Sequence, residues 1–435
     1  MTQDALVMPA LPPATLIVLN WNGRPFLQAC LTSLLALDHP DFTLIVVDNA
    51  SDDDSVAFVR QQFPQVQLQV NPGNLGFAAG NNVALGQLAT EFAVLLNPDI
   101  VVSPNWLRHL LAPLLADERV GVTGCKLYYP DGRLIQHAGG YVTLPQAFPG
   151  HYGLLEEDAG QHETPRQVDY VIGAAMAIRR DLLERIGLLD EGFFLYYEDT
   201  DFCQRARRAG YQVVYAPQAT AVHLESAITR KGSPTYLRHF HTGRWRFLLK
   251  HYDLDEVMGQ TFPAEQTWLD QVDPVERWAA AYAYRQTLLR LPGIWAARQA
   301  HGGSATTAGQ RRQVAGGLVE LRQRAWSATG ALKLLQSRWR VQPQPFVSRV
   351  PVFGRLIARL RQAWNDVATR QYVAALLAQQ NEWNRLVVEE LSRPAARLAE
   401  LDGRQSAAIQ EMLALTEEIG RLRERVAAVN RVGRG

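Results

Sequence analysis

A chain of 435 residues is long enough for about three structural units. Its content of 47% hydrophobic and 20% charged residues is that of a globular protein and excludes a disordered or collagen-like chain. The 44 basic and 43 acidic side chains leave a net charge of +1, so no global field draws the protein to nucleic acid.

The first part of the chain alternates strand and helix signals. An apolar, partly β-branched run over 15–19 is broken by Gly23, Arg24 and Pro25, and helical spacing follows over 26–37. A second strand is predicted over 43–47, with N-cap chemistry at Ser51 and Asp52 to Asp54 for a helix reaching Phe63. A strand over 66–70, a Gly-rich turn, a helix over 77–88 and a strand over 92–96 continue the series. Continuous apolar strands between amphipathic helices predict a doubly wound, mostly parallel sheet of the α/β class. The four strands end at Asn20, Asp48, Asn71 and Asn97-Pro98-Asp99, and in an open parallel sheet such ends share the ligand-binding edge.

Strand-like pieces are predicted over 121–128 and 170–178, a helix over 199–209 and another strand over 212–215. Residues 130–165 are rich in Gly, Pro and His and read as a long loop region. After Tyr252 helices predominate, with a flexible linker near 302–307 and a second break at Pro343, Pro345 and Pro351. From Leu398 to Val429 apolar residues recur in steps of three and four. That is either a coiled-coil seam or one amphipathic surface helix.

Cys30, Cys125 and Cys203 are odd in number and contain no Cys-x-x-Cys pair, so neither a disulfide framework nor a cysteine zinc site is indicated. The first residues carry an acid where a signal peptide needs bases, and no apolar run nears the roughly 18 residues of a membrane span. The expectation is a cytoplasmic protein, attached at most peripherally to the inner face of the cytoplasmic membrane. Arg349, Arg355, Arg359 and Arg361 alternate with Val350, Phe353, Leu356, Ile357 and Trp364, which suits either an anionic membrane surface or a helix packed on the protein with its arginines solvated.

Several segments carry candidate chemistry. Asp48, in Val-Val-Asp-Asn-Ala-Ser, is a carboxylate at a strand end that can accept from a base N–H or from ribose hydroxyls. Asn74-Leu-Gly-Phe-Ala-Ala-Gly-Asn-Asn lets backbone and amide groups approach a nucleotide, yet it is neither Gly-x-Gly-x-x-Gly nor a Walker loop. Asn97-Pro98-Asp99 offers one carboxylate to a hard divalent cation, and His223 ends another strand-like stretch. Glu198, Asp199 and Asp201 follow the aromatic run Phe193 to Tyr197, where desolvation raises a carboxyl pKa toward that of a usable base. The same acids also charge the start of a helix.

In this order the motifs resemble those of the inverting family 2 glycosyltransferases of GT-A fold, in particular their bacterial rhamnosyltransferase-like branch. The matching pieces are Ile17-Val-Leu-Asn-Trp-Asn-Gly, the Asp48 and Asn74 blocks, Leu-Leu-Asn97-Pro-Asp-Ile, Leu-Asp190-Glu-Gly-Phe-Phe and Tyr-Glu198-Asp-Thr-Asp-Phe-Cys. The resemblance covers roughly residues 15–252 and implies a catalytic domain over 1–252, with a nucleotide-sugar half near 15–120 and an acceptor half near 121–252. Beyond it would lie a helical region over 253–342 and amphipathic helices with a coiled coil over 343–435.

Carried over by position, the resemblance assigns Asn20, Asp48, Asn49, Asn74, Gly76, Asn81 and Asn97 to the nucleotide sugar. Asp99 and His223 become ligands of Mg²⁺ or Mn²⁺, Asp199 the catalytic base and Glu198 its neighbour. Arg230 and Lys231 either close over the diphosphate or belong to a solvated loop. The implied reaction moves a sugar, with L-rhamnose the best-fitting one, from dTDP-L-rhamnose or a UDP-sugar to a hydroxyl of a glycan or lipid-linked glycan in cell-surface polysaccharide assembly. Self-association through the C-terminal helix is a further expectation. The competing readings are a sugar-phosphate nucleotidyltransferase, which the N-terminal Asn20-Trp-Asn-Gly-Arg loop does not favour, and an inactive scaffold of the same fold.

Overall fold

The computed structural model describes residues 12–224 and 232–325. Its framework is a mixed sheet in the order β10-β12-β6-β11-β4-β1-β2-β3, with β5 on β12 and β7 on β6. The strands are β1 (Ala14–Asn20), β2 (Phe42–Asp48), β3 (Gln67–Val70), β4 (Phe92–Leu96), β5 (Ile100–Val102), β6 (Val120–Tyr128), β7 (Ile135–His137), β8 (Gly140–Thr143), β9 (Phe148–His151), β10 (Arg166–Gln167), β11 (Ala175–Arg179) and β12 (Gln212–His223). β3, β2, β1 and β4 are mutually parallel, and β11, antiparallel to both β4 and β6, joins them to β6 and β12, which therefore run the same way. The carboxyl ends of these six parallel strands thus share one edge.

The helices are α1 (Arg24–Leu35), α2 (Ser55–Gln62), α3 (Gly76–Leu85), α4 (Trp106–Ala116), α5 (Arg180–Ile186), α6 (Glu198–Arg208), α7 (Pro234–His251), α8 (Leu254–Glu256), α9 (Phe262–Gln271), α10 (Pro274–Ala300) and α11 (Ala308–Ala325), with a π-helical turn at Val257–Thr261 between α8 and α9. Alternation along the strands divides the core into two layers. Leu16 and Val18 of β1 pack with Leu27 and Leu31 of α1, Val59 of α2 and Leu110 of α4, while Ile17 and Leu19 face Ala78 of α3, Leu182 of α5 and Phe202 of α6. Each fully buried leucine in these layers contributes about 1.5–3 kcal/mol.

Three sequence expectations change. The 130–165 region is not a loop: β7 pairs with β6, and β8 with β9 forms a two-stranded hairpin. The strand expected over 170–178 begins only at Ala175, antiparallel to β4. The helix expected after Ser51 starts at Ser55, with Asp53 Oδ1 accepting from the Ser55 amide at 3.0 Å, because Ser51 is engaged elsewhere.

The described chain divides into two compact units. One holds the residues through Glu265 together with Leu289–Gln310, and the other holds Gln266–Leu288 with the residues from Arg311 onward. Segments past Tyr252 therefore complete the first unit. Arg298 donates to the carbonyls of Leu249 and Tyr252 at 3.0 and 2.6 Å. In the expected linker the Arg298 guanidinium reaches Ser304 O, and Thr307 caps the start of α11 by accepting from the Gln310 amide. The heptad seam and the arginine-rich amphipathic run lie outside the described residues. No described helix is long and apolar enough to cross a membrane.

Candidate active site

At the end of β1, Asn20 Nδ2 donates to Asp48 Oδ2 at 2.7 Å, and parallel pairing sets the two residues in register. Ser51 donates to the same carboxylate twice, from its amide to Oδ1 at 2.9 Å and from its hydroxyl to Oδ2 at 2.7 Å. Three donors on one buried carboxylate fix the turn after β2 and explain why Ser51 does not cap α2. Next to it, Asn49 Nδ2 donates to Gly76 O at 2.9 Å and Asn49 Oδ1 accepts from Asn71 at 2.8 Å. The Asn74 side chain accepts from the Gly76 amide at 2.9 Å. Gly76 adopts φ +81°, and a Cβ there would collide with Phe194, so only glycine serves.

Among the residues expected at the nucleotide sugar, Asn20, Asp48, Asn49, Gly76 and Asn81 are buried, whereas Asn74 is exposed and Asn97 half-buried. Asn81 bonds back along α3 to Phe77 O at 3.0 Å. Asn20 Oδ1 and Asn81 Oδ1 are buried with no hydrogen-bond partner among the described residues.

The Asn-Pro-Asp turn connects β4 to β5, and β5 runs antiparallel to the end of β12 with Ile100 opposite His223. That register brings Asp99 Oδ1 to 3.2 Å from His223 Nε2. The other imidazole nitrogen, Nδ1, lies 2.7 Å from Gln136 Oε1 on β7. An amide oxygen only accepts, so Nδ1 carries a proton, and in the neutral ring the Nε2 lone pair faces the carboxylate. Two electron pairs at that separation need a proton or a cation between them. Adjacent oxygen and nitrogen ligands of an octahedral ion with bonds of about 2.1 Å lie about 3 Å apart, so the pair fits a divalent metal. Among the described residues no three His, Cys, Asp or Glu side chains form a group that could hold a metal ion, so those residues offer two such ligands here.

Glu198 and Asp199 open α6. Asp199 Oδ2 accepts from the Gly173 amide at 2.9 Å, and its Oδ1 accepts from the Thr200 amide at 2.6 Å and hydroxyl at 3.1 Å. Burial nonetheless pushes its carboxyl above the usual aspartate range, against those hydrogen bonds. Glu198 is pushed up much further, first by burial and then by the neighbouring Asp199 charge, and its Oε2 has no partner among the described residues. Asp201 behaves in the opposite way. Arg205 at 2.8 Å, Lys250 at 2.6 Å and His251 at 2.7 Å surround it and hold it well below the usual range, so it is a structural anion and not an alternative base.

These groups form one continuous set of contacts. Gly23 sits so tightly between Asn20 Oδ1 and the Pro98 ring that it has no room for a Cβ, which joins the Asp48 cluster to the Asn-Pro-Asp turn. The Asn97 backbone N–H donates to Ala174 O at 2.9 Å, next to the Gly173 amide that holds Asp199. The Phe77 amide donates to Phe194 O at 2.7 Å, joining the Asn74 loop to the segment before α6. Arg230 and Lys231 lie outside the described residues.

Sequence reasoning missed Gln136, which sits in the segment read as loop, and Asn82, whose side chain bonds Leu189 on both its N–H and C=O and reaches Glu191. It also missed the Gly173 amide, since a backbone donor leaves no side-chain signal.

Residues 12–249 match the family described as "Glycosyltransferase like family 2". The chain belongs to this family. Among curated proteins it is 34% identical over 232 residues to the protein y4gI of Sinorhizobium fredii, covering 51% of this chain and 25% of that protein. It is 25% identical over 254 residues to the N-acetylglucosaminyl-diphospho-decaprenol L-rhamnosyltransferase of Mycobacterium tuberculosis, covering 53% of this chain and 82% of that enzyme. This family 2 chain thus spans a quarter of the first relative and most of the second. A solved structure, GalNAc-T7 with UDP, GalNAc and Mn²⁺, is similar at a TM-score of 0.49 and 12% identity, covering 66% of this chain and 58% of that one.

Proposed function

We propose that the protein is a metal-assisted, inverting glycosyltransferase that moves L-rhamnose from a nucleoside-diphosphate donor to a hydroxyl of a glycan or lipid-linked glycan. The observation that carries this reading is the unbroken run of contacts from Asp48 through Asn20, Gly23 and Pro98 to Asp99 and His223, and from Asn97 through Ala174 and Gly173 to Asp199. The rhamnosyltransferase among its relatives supports the choice of sugar.

In this mechanism the Asp48 cluster shapes the wall against the nucleotide, with Nδ2 of the exposed Asn74 and the half-buried Asn97 side chain meeting the donor. Asp99 and His223 would hold Mg²⁺ or Mn²⁺, with Gln136 fixing the imidazole tautomer. Such an ion supplies charge neutralisation to the departing diphosphate. Asp199 takes the proton of the acceptor hydroxyl through an oxygen that its three hydrogen bonds keep in place. The acceptor oxygen then bonds to the anomeric carbon from the face opposite the leaving group, and the sugar–phosphate C–O bond breaks with its electron pair leaving on the nucleoside diphosphate. One displacement inverts the configuration.

The test is a screen of dTDP-L-rhamnose and UDP-sugars for nucleoside diphosphate release, with Mn²⁺ or with excess EDTA. Release from dTDP-L-rhamnose that stops in EDTA supports the reading. Full release in EDTA removes the metal from it, and release from UDP-sugars alone replaces the sugar.

A further inference from the structure

Tyr196 and Tyr197 are consecutive non-glycine residues in left-handed backbone, at φ +68° and +72°, immediately before Glu198 and Asp199. Such a conformation persists only where its surroundings hold it. The Tyr197 hydroxyl donates to the Ala147 carbonyl at 2.8 Å, and Ala147 is fully buried. The Tyr196 ring packs against Tyr236 with centroids 4.8 Å apart, and the Tyr197 ring against Phe240 and Phe247. On α7, Gly243 leaves the space these residues need: a Cβ there would lie 2.6 Å from Tyr196 O and 3.2 Å from the Tyr197 ring.

The turn that receives Tyr197 is itself fastened from several sides. Pro145 O accepts from Thr261 Oγ1 at 2.7 Å, Gln146 O accepts from Arg244 Nη1 at 3.0 Å, and the Gln146 amide donates to Glu265 Oε2 at 3.0 Å. Arg244 and Glu265 form a fully buried ion pair, and Arg244 lies over the Phe148 ring at 4.5 Å. The β8–β9 turn is therefore a fixed anchor, held by α7, the π-helical turn and α9, and Tyr197 is the side chain that ties the start of α6 to it. Burial keeps the Tyr197 phenol protonated far above neutral pH, so the donor is always present.

We propose that Tyr197 is a positioning residue, whose hydroxyl holds the left-handed turn that aims Asp199 at the acceptor. The proposal rests on Asp199 being the base. Removing the hydroxyl leaves the Ala147 carbonyl buried without that donor and releases the turn, so Asp199 gains water. Its raised pKa comes mainly from burial, so the acid limb of turnover moves to lower pH. The titratable groups around Asp199 are Glu198, Asp201 and Cys203 on its own helix, Tyr197 before it and Tyr170 ahead of β11. None of them is removed as a charge by the test.

The experiment follows dTDP release from dTDP-L-rhamnose and Mn²⁺ by the full chain, with kcat and KM measured against pH for wild type, Tyr197→Phe, Gly243→Ala and Asp199→Asn. Tyr197→Phe is expected to keep KM within about twofold and lose about 10- to 100-fold in kcat, with its acid limb displaced downward. Gly243→Ala pushes the same turn from the opposite side and displaces the limb without touching the hydroxyl, which preserves the test if Tyr197→Phe does not fold. A folded Tyr197→Phe with unchanged kcat, or with lowered kcat and an unmoved acid limb, overturns the proposal. An Asp199→Asn variant of undiminished kcat overturns instead the reading on which it rests.

Discussion

Glu198 and Asp199 are adjacent in sequence and held in different ways. Asp199 accepts three hydrogen bonds and is half-buried, whereas Glu198 is buried with an unpartnered oxygen. The folded-state pKa of Glu198 is raised, so the protein pays for any ionisation there, and stability is lost as pH rises from about 4.3 through the folded value. Glu198→Gln removes that loss. Thermal unfolding of Glu198→Gln is therefore expected at an equal or higher temperature than wild type near pH 8, with the difference vanishing near pH 4. A variant less stable at pH 8 would mean that the carboxylate is satisfied there. The sequence made both carboxyls legible as an acidic pair behind an aromatic run, but it said nothing of the Gly173 amide or the left-handed tyrosines, which separate their roles.

Helices α6 and α7 are joined by charge. Asp201 meets Arg205, Lys250 and His251, and Asp190 takes a bidentate contact from Arg246 and a second from Lys250. Breaking such a cluster from one side leaves buried cations without compensation, so Asp201→Asn is expected to destabilise the protein by about 3–5 kcal/mol in urea unfolding. A loss below about 1 kcal/mol would show the cage to be hydrated. Elements with apolar periods, from β1 to β4 and α1 to α3, were readable because their burial pattern repeats along the chain. β7, β8 and β9 were not, since three- and four-residue strands interrupted by Gly and Pro carry too short a pattern and are fixed by partners distant in sequence. His223 was readable as a candidate, yet its meeting with Asp99 depends on the β5–β12 register, which no local signal encodes.

At the scale of the molecule, the first unit extends past the boundary that the sequence motifs mark. Arg244 is wholly buried against Glu265, and Arg298 closes the end of α7, so a chain ending at Tyr252 strands Arg244 in the core. Such a chain is expected to be insoluble or unfolded by circular dichroism, and a folded, cooperative one would restore the boundary at Tyr252. The buried histidines set the response to acid. Burial lowers His137 and His251 beneath the unfolded value of about 6.5, and the cations around Asp201 lower its carboxyl, so in each case the unfolded chain binds the proton first. The histidines' contribution is therefore present above about pH 6.5 and declines as pH falls below it, and that of Asp201 declines only below about pH 4. Denaturant titrations of Glu198→Gln, which lacks the opposing carboxyl, at pH 7.5 and 5 check the direction, with a higher midpoint at pH 5 as the contrary result.

In the proposed reaction an acceptor proton leaves to Asp199 at the carboxyl edge of this sheet. The most direct test of this step is the rate of dTDP release from dTDP-L-rhamnose by purified Asp199→Asn in saturating Mn²⁺, with donor binding followed in parallel by calorimetry. Near-normal donor affinity is expected, with a turnover reduced by about 10²- to 10⁴-fold, the range for loss of a general base. Turnover within about twofold of wild type in a folded variant with intact donor binding would contradict this role for Asp199.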